Sequence, residues 1–156
     1  MKANIGIPEN HLQAVSTKMN KLLADEFLLY TKTRNYHWNI EGPSFKELHL
    51  FFEGQYEELD EIIDQVAERI RQLGHFAEAR LKDYLKITDL EEPEYTVESK
   101  KQIQNLLNDH ETIIRILRNL ITDFGEVHKD LGTADFVTGL MEKHEKMAWM
   151  LRSYLK

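Results

Sequence analysis

The stretch Ser44–Gly74, SFKELHLFFEGQYEELDEIIDQVAERIRQLG, decides the fold. Ser44 followed three residues later by Glu47 is a capping-box signature, in which each side chain satisfies a free amide at a helix start. A helix is therefore expected from about Phe45 to about Leu73, where Gly74 can take the left-handed conformation that ends it. Along this helix His49, Glu53, Asp60, Asp64 and Glu68 are spaced by four, seven, four and four residues, which sets them on one face.

On either side of this helix, the three prolines, Pro8, Pro43 and Pro93, fall where helical patterns start or break. Before the stretch, Leu12, Val15, Met19, Leu22, Leu23, Phe27 and Tyr30 recur at spacings of three and four, predicting a first helix from about Glu9 to Trp38. After it, a short helix is expected at Ala77–Ile87, inside a connection running to about Tyr95. A third long helix is expected from Val97 to Phe124, with Gly125 beginning its exit. A fourth should start near Thr133 as N-cap and carry Val137, Leu140, Met141, Met147, Leu151, Tyr154 and Leu155 on one face. The reading is an all-α, ferritin-like four-helix bundle, a single domain over residues 1–156, with a short extra helix in the long connection between helices two and three.

The 156 residues are 42% hydrophobic, enough for one packed core. With no cysteine, thiolate chemistry and disulfides are excluded, and any metal must sit on His, Asp or Glu. A net charge of -7 argues against a dominant phosphate-binding surface and suits a protein that collects cations. No apolar run approaches the roughly 20 residues needed to cross a bilayer, and Met1–Asn10 lacks a secretory pattern, so a cytoplasmic location is expected.

A row of acids alone is usually a solvated face, but this row contains a histidine. Imidazole and carboxylate together suit a divalent first-row metal such as iron. His49 and Asp64 are fifteen residues apart, roughly 22 Å along one helix, so one chain cannot close the site. Two antiparallel copies crossing near Tyr56 and Glu57 set His49 opposite the partner's Asp64 and Glu53 opposite the partner's Asp60, twice per dimer. His37, at the end of the first helix, hangs beside the first turns of the second and joins His49.

Tyr36-His37-Trp38-Asn39, His49 with Glu53, Asp64-Gln65-Val66-Ala67-Glu68-Arg69 and Gln72-Leu73-Gly74 together resemble the signature of Dps, the DNA-binding protein from starved cells, and its mini-ferritin relatives. The likeness continues through Gly132-Thr133-Ala134-Asp135-Phe136 and Lys143-His144-Glu145-Lys146-Met147-Ala148-Trp149. It implies a hollow homododecamer that oxidises Fe(II), usually with hydrogen peroxide and otherwise with dioxygen, and stores Fe(III) mineral, protecting against oxidative stress. It also implies a ferroxidase centre of His37, His49 and Glu53 with the partner's Asp64 and the partner's Glu68; many relatives carry Asp where this chain has Glu53. Trp38, next to His37, is a candidate electron donor or a packing aromatic. Asp123, Glu126, Asp130 and Asp135 fall where such cages have three-fold pores, although polar loops are common and Asp135 also suits a helix start.

Two other readings bear on function. A di-iron site inside one chain needs Glu-x-x-His pairs, and the sequence contains none. A DNA-compacting protein is the alternative; the family's lysine-rich tails have no counterpart in residues 1–10, where Lys2 is the only lysine, so DNA binding is not expected. His110 and His144 read as hydrogen-bonded core residues, and His11, His75 and His128 as surface or loop residues.

Overall fold

A computed structural model describes residues 3–156; Lys2 lies outside them. The chain forms α1 (Glu9–Asn39), α2 (Phe45–Gln72), α3 (Leu81–Ile87), α4 (Ser99–Thr122) and α5 (Leu131–Tyr154). α1 packs along α2 and α4 along α5, and the two hairpins close on each other around one core. No helix among the described residues is long and apolar enough to cross a membrane.

The stripes expected on the first and last helices line the core, except that Tyr154 is exposed and Leu155 only partly buried. Leu12, Val15, Met19, Leu22 and Leu23 of α1 are buried against Phe52, Leu59, Ile62, Val66 and Ile70 of α2, Ile103, Leu106 and Ile113 of α4, and Val137, Leu140 and Leu151 of α5. Phe27 and Tyr30 sit at the edge of this core, partly buried, and Tyr84 of the long connection covers Phe27, the two ring centroids 5.0 Å apart. Asp25 holds the same connection, accepting from Thr88 Oγ1 at 2.6 Å and from the Asp89 amide at 2.7 Å. Lys32, whose side chain is 7% exposed, donates to Asp109 of α4 at 2.5 Å and to the Glu91 carbonyl at 2.6 Å. One buried cation thus ties α1, α4 and the connection together.

Several boundaries differ from the sequence expectation for identifiable reasons. Ser44 is the N-cap of α2, but its side chain makes no capping bond; Glu47 instead accepts from Tyr154 at the far end of the chain. The short helix begins at Leu81 rather than Ala77, since Glu78 is drawn to α1, its amide donating to Asn20 at 2.7 Å. α4 spans Ser99–Thr122 and then widens into a π-helical turn over Asp123–Val127, so Gly125 lies within the turn. Gly74 has a φ of +89°, as its position past α2 requires.

The cap of α5 is Asp130, not Thr133, and the helix starts at Leu131. Asp130 is buried, accepts from the Thr133 amide at 2.9 Å and from its hydroxyl at 2.5 Å, and receives Arg69 of α2. Its backbone is delivered there by Lys129, a non-glycine residue at φ 56°, which lets the Asp130 amide reach the Phe124 carbonyl. Replacing Asp130 by Ala removes the cap and takes from Arg69 its carboxylate partner, leaving it only the Thr133 hydroxyl and Gln72. Thermal unfolding is expected to show a loss of about 2 kcal/mol, whereas Asp135→Ala, at an exposed position, changes little.

A candidate metal centre shared between two copies

α1 ends and α2 begins around a tight turn, and this brings His37 and His49 face to face. Their rings stack with centroids 3.7 Å apart and planes 21° from parallel. His37 Nδ1 lies 2.7 Å from the His49 carbonyl, and His49 Nδ1 lies 2.8 Å from the His37 carbonyl. A carbonyl oxygen can only accept, so each ring must carry its proton on Nδ1 and donate it. Both Nε2 atoms are thereby left with free lone pairs, the state a metal needs.

Around this pair the polar and aromatic groups are ordered. Tyr56 presents its ring edge to His37, 5.2 Å between centroids, and its hydroxyl donates toward Glu53 Oε1 at 3.4 Å. Burial first, then the Glu53 carboxylate, raises the Tyr56 phenol above its usual value, so it stays a donor. The Arg34 guanidinium lies over Tyr56 at 4.4 Å and over Trp38 at 5.3 Å. Trp38 is 64% exposed and points away from the core.

Asp60, Asp64 and Glu68 stand exposed farther along α2. In one copy the histidines meet and these acids do not join them; among the described residues no three His, Asp or Glu side chains gather at a point. Of the acids around the α4–α5 junction, Glu126 and Asp135 are exposed, while Asp123 is held by Lys18 at 2.6 Å. Asp130 is committed to capping and to Arg69, so it offers no ligand to a pore.

His110 and His144 are hydrogen-bonded core residues as expected, and the histidines expected at the surface or in loops are tied down. His75 pairs with Glu9, and His11 donates from Nδ1 to the His128 carbonyl at 3.1 Å, with the two rings edge to face. His110 and His144 are buried and bonded to each other, and His144 also to Glu26, a carboxylate that sequence reasoning passed over. Its signal was position: Glu26 sits four residues after Leu22 and three before Leu29, on the apolar stripe itself.

Comparison with known proteins agrees with this architecture. The ferritin-like domain family matches residues 16–156. DNA protection during starvation protein 2 of Bacillus anthracis is 35% identical over 88% of this chain and 93% of its own length. The chain belongs to the Dps branch of the ferritin-like family. A low temperature-induced protein of Nostoc sp. is 44% identical over 99% of this chain and 87% of its own length. The Dps protein of Vibrio cholerae, described as a member of a superfamily of ferritin-like diiron-carboxylate proteins, superposes with a TM-score of 0.94 at 32% identity, covering 100% of this chain and 98% of its own. As a Dps-branch protein the chain has the fold read from its sequence, and iron binding is the property its superfamily implies.

Proposed function

We propose that this chain is a ferroxidase subunit whose iron sites are completed by a second copy. The observation that carries the reading is the reciprocal pairing of His37 and His49, which fixes both tautomers and leaves both Nε2 atoms free. Glu53 supplies a carboxylate beside them, and the partner's Asp64 and the partner's Glu68 complete the set, with Asp60 close to the shared axis. Mixed imidazole and carboxylate donors bind Fe(II) and favour the harder ferric product. Two Fe(II) give one electron each to hydrogen peroxide, which takes up two protons and leaves as two waters; Fe(III) passes on to mineral inside a closed homododecamer.

Trp38, exposed beside His37, is assigned as an electron donor near the iron. Glu126 and Asp135, both exposed, are assigned together with Asp123 to drawing cations toward the three-fold pore. The assembly works in the cytoplasm, and DNA is not among its proposed partners: the net charge of -7 disfavours counterion release on a polyanion.

The test is anaerobic loading with Fe(II), then separate additions of peroxide and air, following Fe(III) absorbance in the wild type and in Asp64→Ala. Fast peroxide-dependent oxidation in the wild type, lowered at least on the order of 100-fold in an intact Asp64→Ala assembly, supports the reading. Equal slow rates in both would leave the acidic row as a solvated face.

A further inference from the structure

Three fully buried ionisable side chains from three helices form one hydrogen-bonded chain across the core. Glu26 Oε1 of α1 lies 2.9 Å from His144 Nε2 of α5, and His144 Nδ1 lies 2.9 Å from His110 Nδ1 of α4. All three residues are 0% exposed. At the ends of the chain, Glu26 Oε2 and His110 Nε2 have no hydrogen-bond partner among the described residues. These three residues are distinct from the proposed iron ligands, so their behaviour does not depend on the iron reading.

Proton counting decides what this arrangement tolerates. A carboxylate accepts, so His144 donates from Nε2; a nitrogen-to-nitrogen bond needs one proton between its two atoms. With one proton per ring, His110 donates from Nδ1 to His144 Nδ1 and every internal link is made. With a third ring proton on His144, the central bond reverses, His110 accepts, and its own proton moves to Nε2. With a fourth, both Nδ1 atoms carry hydrogen and point at each other across 2.9 Å, with two buried cations against one carboxylate.

We propose that the Glu26–His144–His110 chain is an acid-sensitive tie across the bundle, closed while its two imidazoles hold two or three protons and broken by the fourth, which loosens α4 and α5 from α1. Burial, and next the charge of His144, push His110 well below the usual histidine range. Among the described residues the other charges in the core are engaged: α2 buries only uncharged side chains, Asp130, the cap of α5, is taken up by Arg69, and Lys32 of α1 and Asp109 of α4 neutralise each other. Asp25, next to Glu26, is bonded to Thr88 and Asp89.

The sign for His110 comes from linkage. The folded state keeps it neutral while the unfolded imidazole takes a proton below about pH 6.5, so stability is lost as pH falls below that value. Asp25 acts oppositely: its carboxyl is pushed up to about 6 by burial, so the folded state binds the extra proton below that pH and gains stability. A comparison within one background is therefore needed. Asn in place of His110 can donate to His144 Nδ1 and carries no titratable proton.

Unfolding of the assembled protein is measured between pH 7.5 and 5.5 for the wild type and His110→Asn. Below about pH 6.5 the wild-type unfolding constant is expected to rise about tenfold more per pH unit than that of the variant. Parallel profiles overturn the proposal. Should the variant not fold, ring-nitrogen NMR of the histidine-labelled wild type decides: His110 still neutral at pH 5.5 upholds the tie, and two cationic rings in a folded core overturn it.

Discussion

On the proposed reading, subunits carrying His49→Ala, assembled in equal amounts with subunits carrying Asp64→Ala, are expected to recover about a quarter of the wild-type ferroxidase sites, although neither variant is active alone. In a homodimer of either variant both sites lack a ligand. In a mixed dimer one site lacks both ligands, while the other combines an intact His49 with an intact acid from its neighbour. Random pairing makes about half the dimers mixed, each with one good site of two. A site closed within one chain predicts no recovery at any mixing ratio. Initial rates of Fe(II) oxidation by peroxide, read on mixed assemblies isolated through two different tags, separate these outcomes. A sizing column establishes that both variants assemble. The recovered fraction depends only on the fifteen-residue separation of His49 and Asp64 and on the two-fold relation, so it tests the geometry independently of the oxidant.

Lys32→Met is expected to be the most damaging single change outside the iron site. The ammonium is 7% exposed and its partner Asp109 14% exposed, so removing the cation leaves a carboxylate with little access to water. Breaking a buried pair on one side costs about 3 kcal/mol or more, roughly 10 °C in Tm for a chain of this size. The Glu91 carbonyl loses its donor as well. Burial already holds Asp109 above the usual carboxylate range despite Lys32, and without the lysine it rises further. A raised carboxyl binds its proton more tightly in the folded state, so stability returns as pH falls through that raised value. The deficit measured at pH 7.5 should therefore shrink by pH 5. Lys32→Met combined with Asp109→Leu should recover most of it at neutral pH, because the stranded charge is gone. A double variant as unstable as the single one would show that the connection, through Glu91, matters more than the ion pair.

How far the sequence carries is clearest at individual residues. The apolar spacing from Leu12 to Leu23 and from Val137 to Leu151 gives helices and their buried faces, because a 3.6-residue period leaves few alternatives. His37 and His49 could be paired from chain order alone, since one ends a helix, the other opens the next, and the turn between them is tight. Their reciprocal bonds to each other's carbonyls could not, because they depend on the rotation of both rings. Thr133 has the right residue type for an N-cap, but Asp130 has the right position: Lys129 bends the chain so that the acid meets the Thr133 amide and Arg69 from a different helix. The capping pattern at Ser44 gave the correct boundary without its bond, since Glu47 found Tyr154 instead. Glu26 was visible as an acid on an apolar stripe. Its partners were not, because they lie 84 and 118 positions away, His110 and His144 on helices that only the bundle brings together.

The separation of the histidine pair from Asp64 and Glu68 along a single helix has a protective side. Fe(II) meeting peroxide outside a controlled site releases hydroxyl radical, and a newly made subunit in an iron-rich environment is exposed to that hazard before it finds its neighbours. On the proposed reading such a subunit offers an ion its two imidazoles with, among the described residues, no third His, Asp or Glu side chain gathered at them, too few donors to retain it firmly. Pairing with a second copy is then what licenses the chemistry, so oxidation begins only where an enclosure is already forming to receive its product.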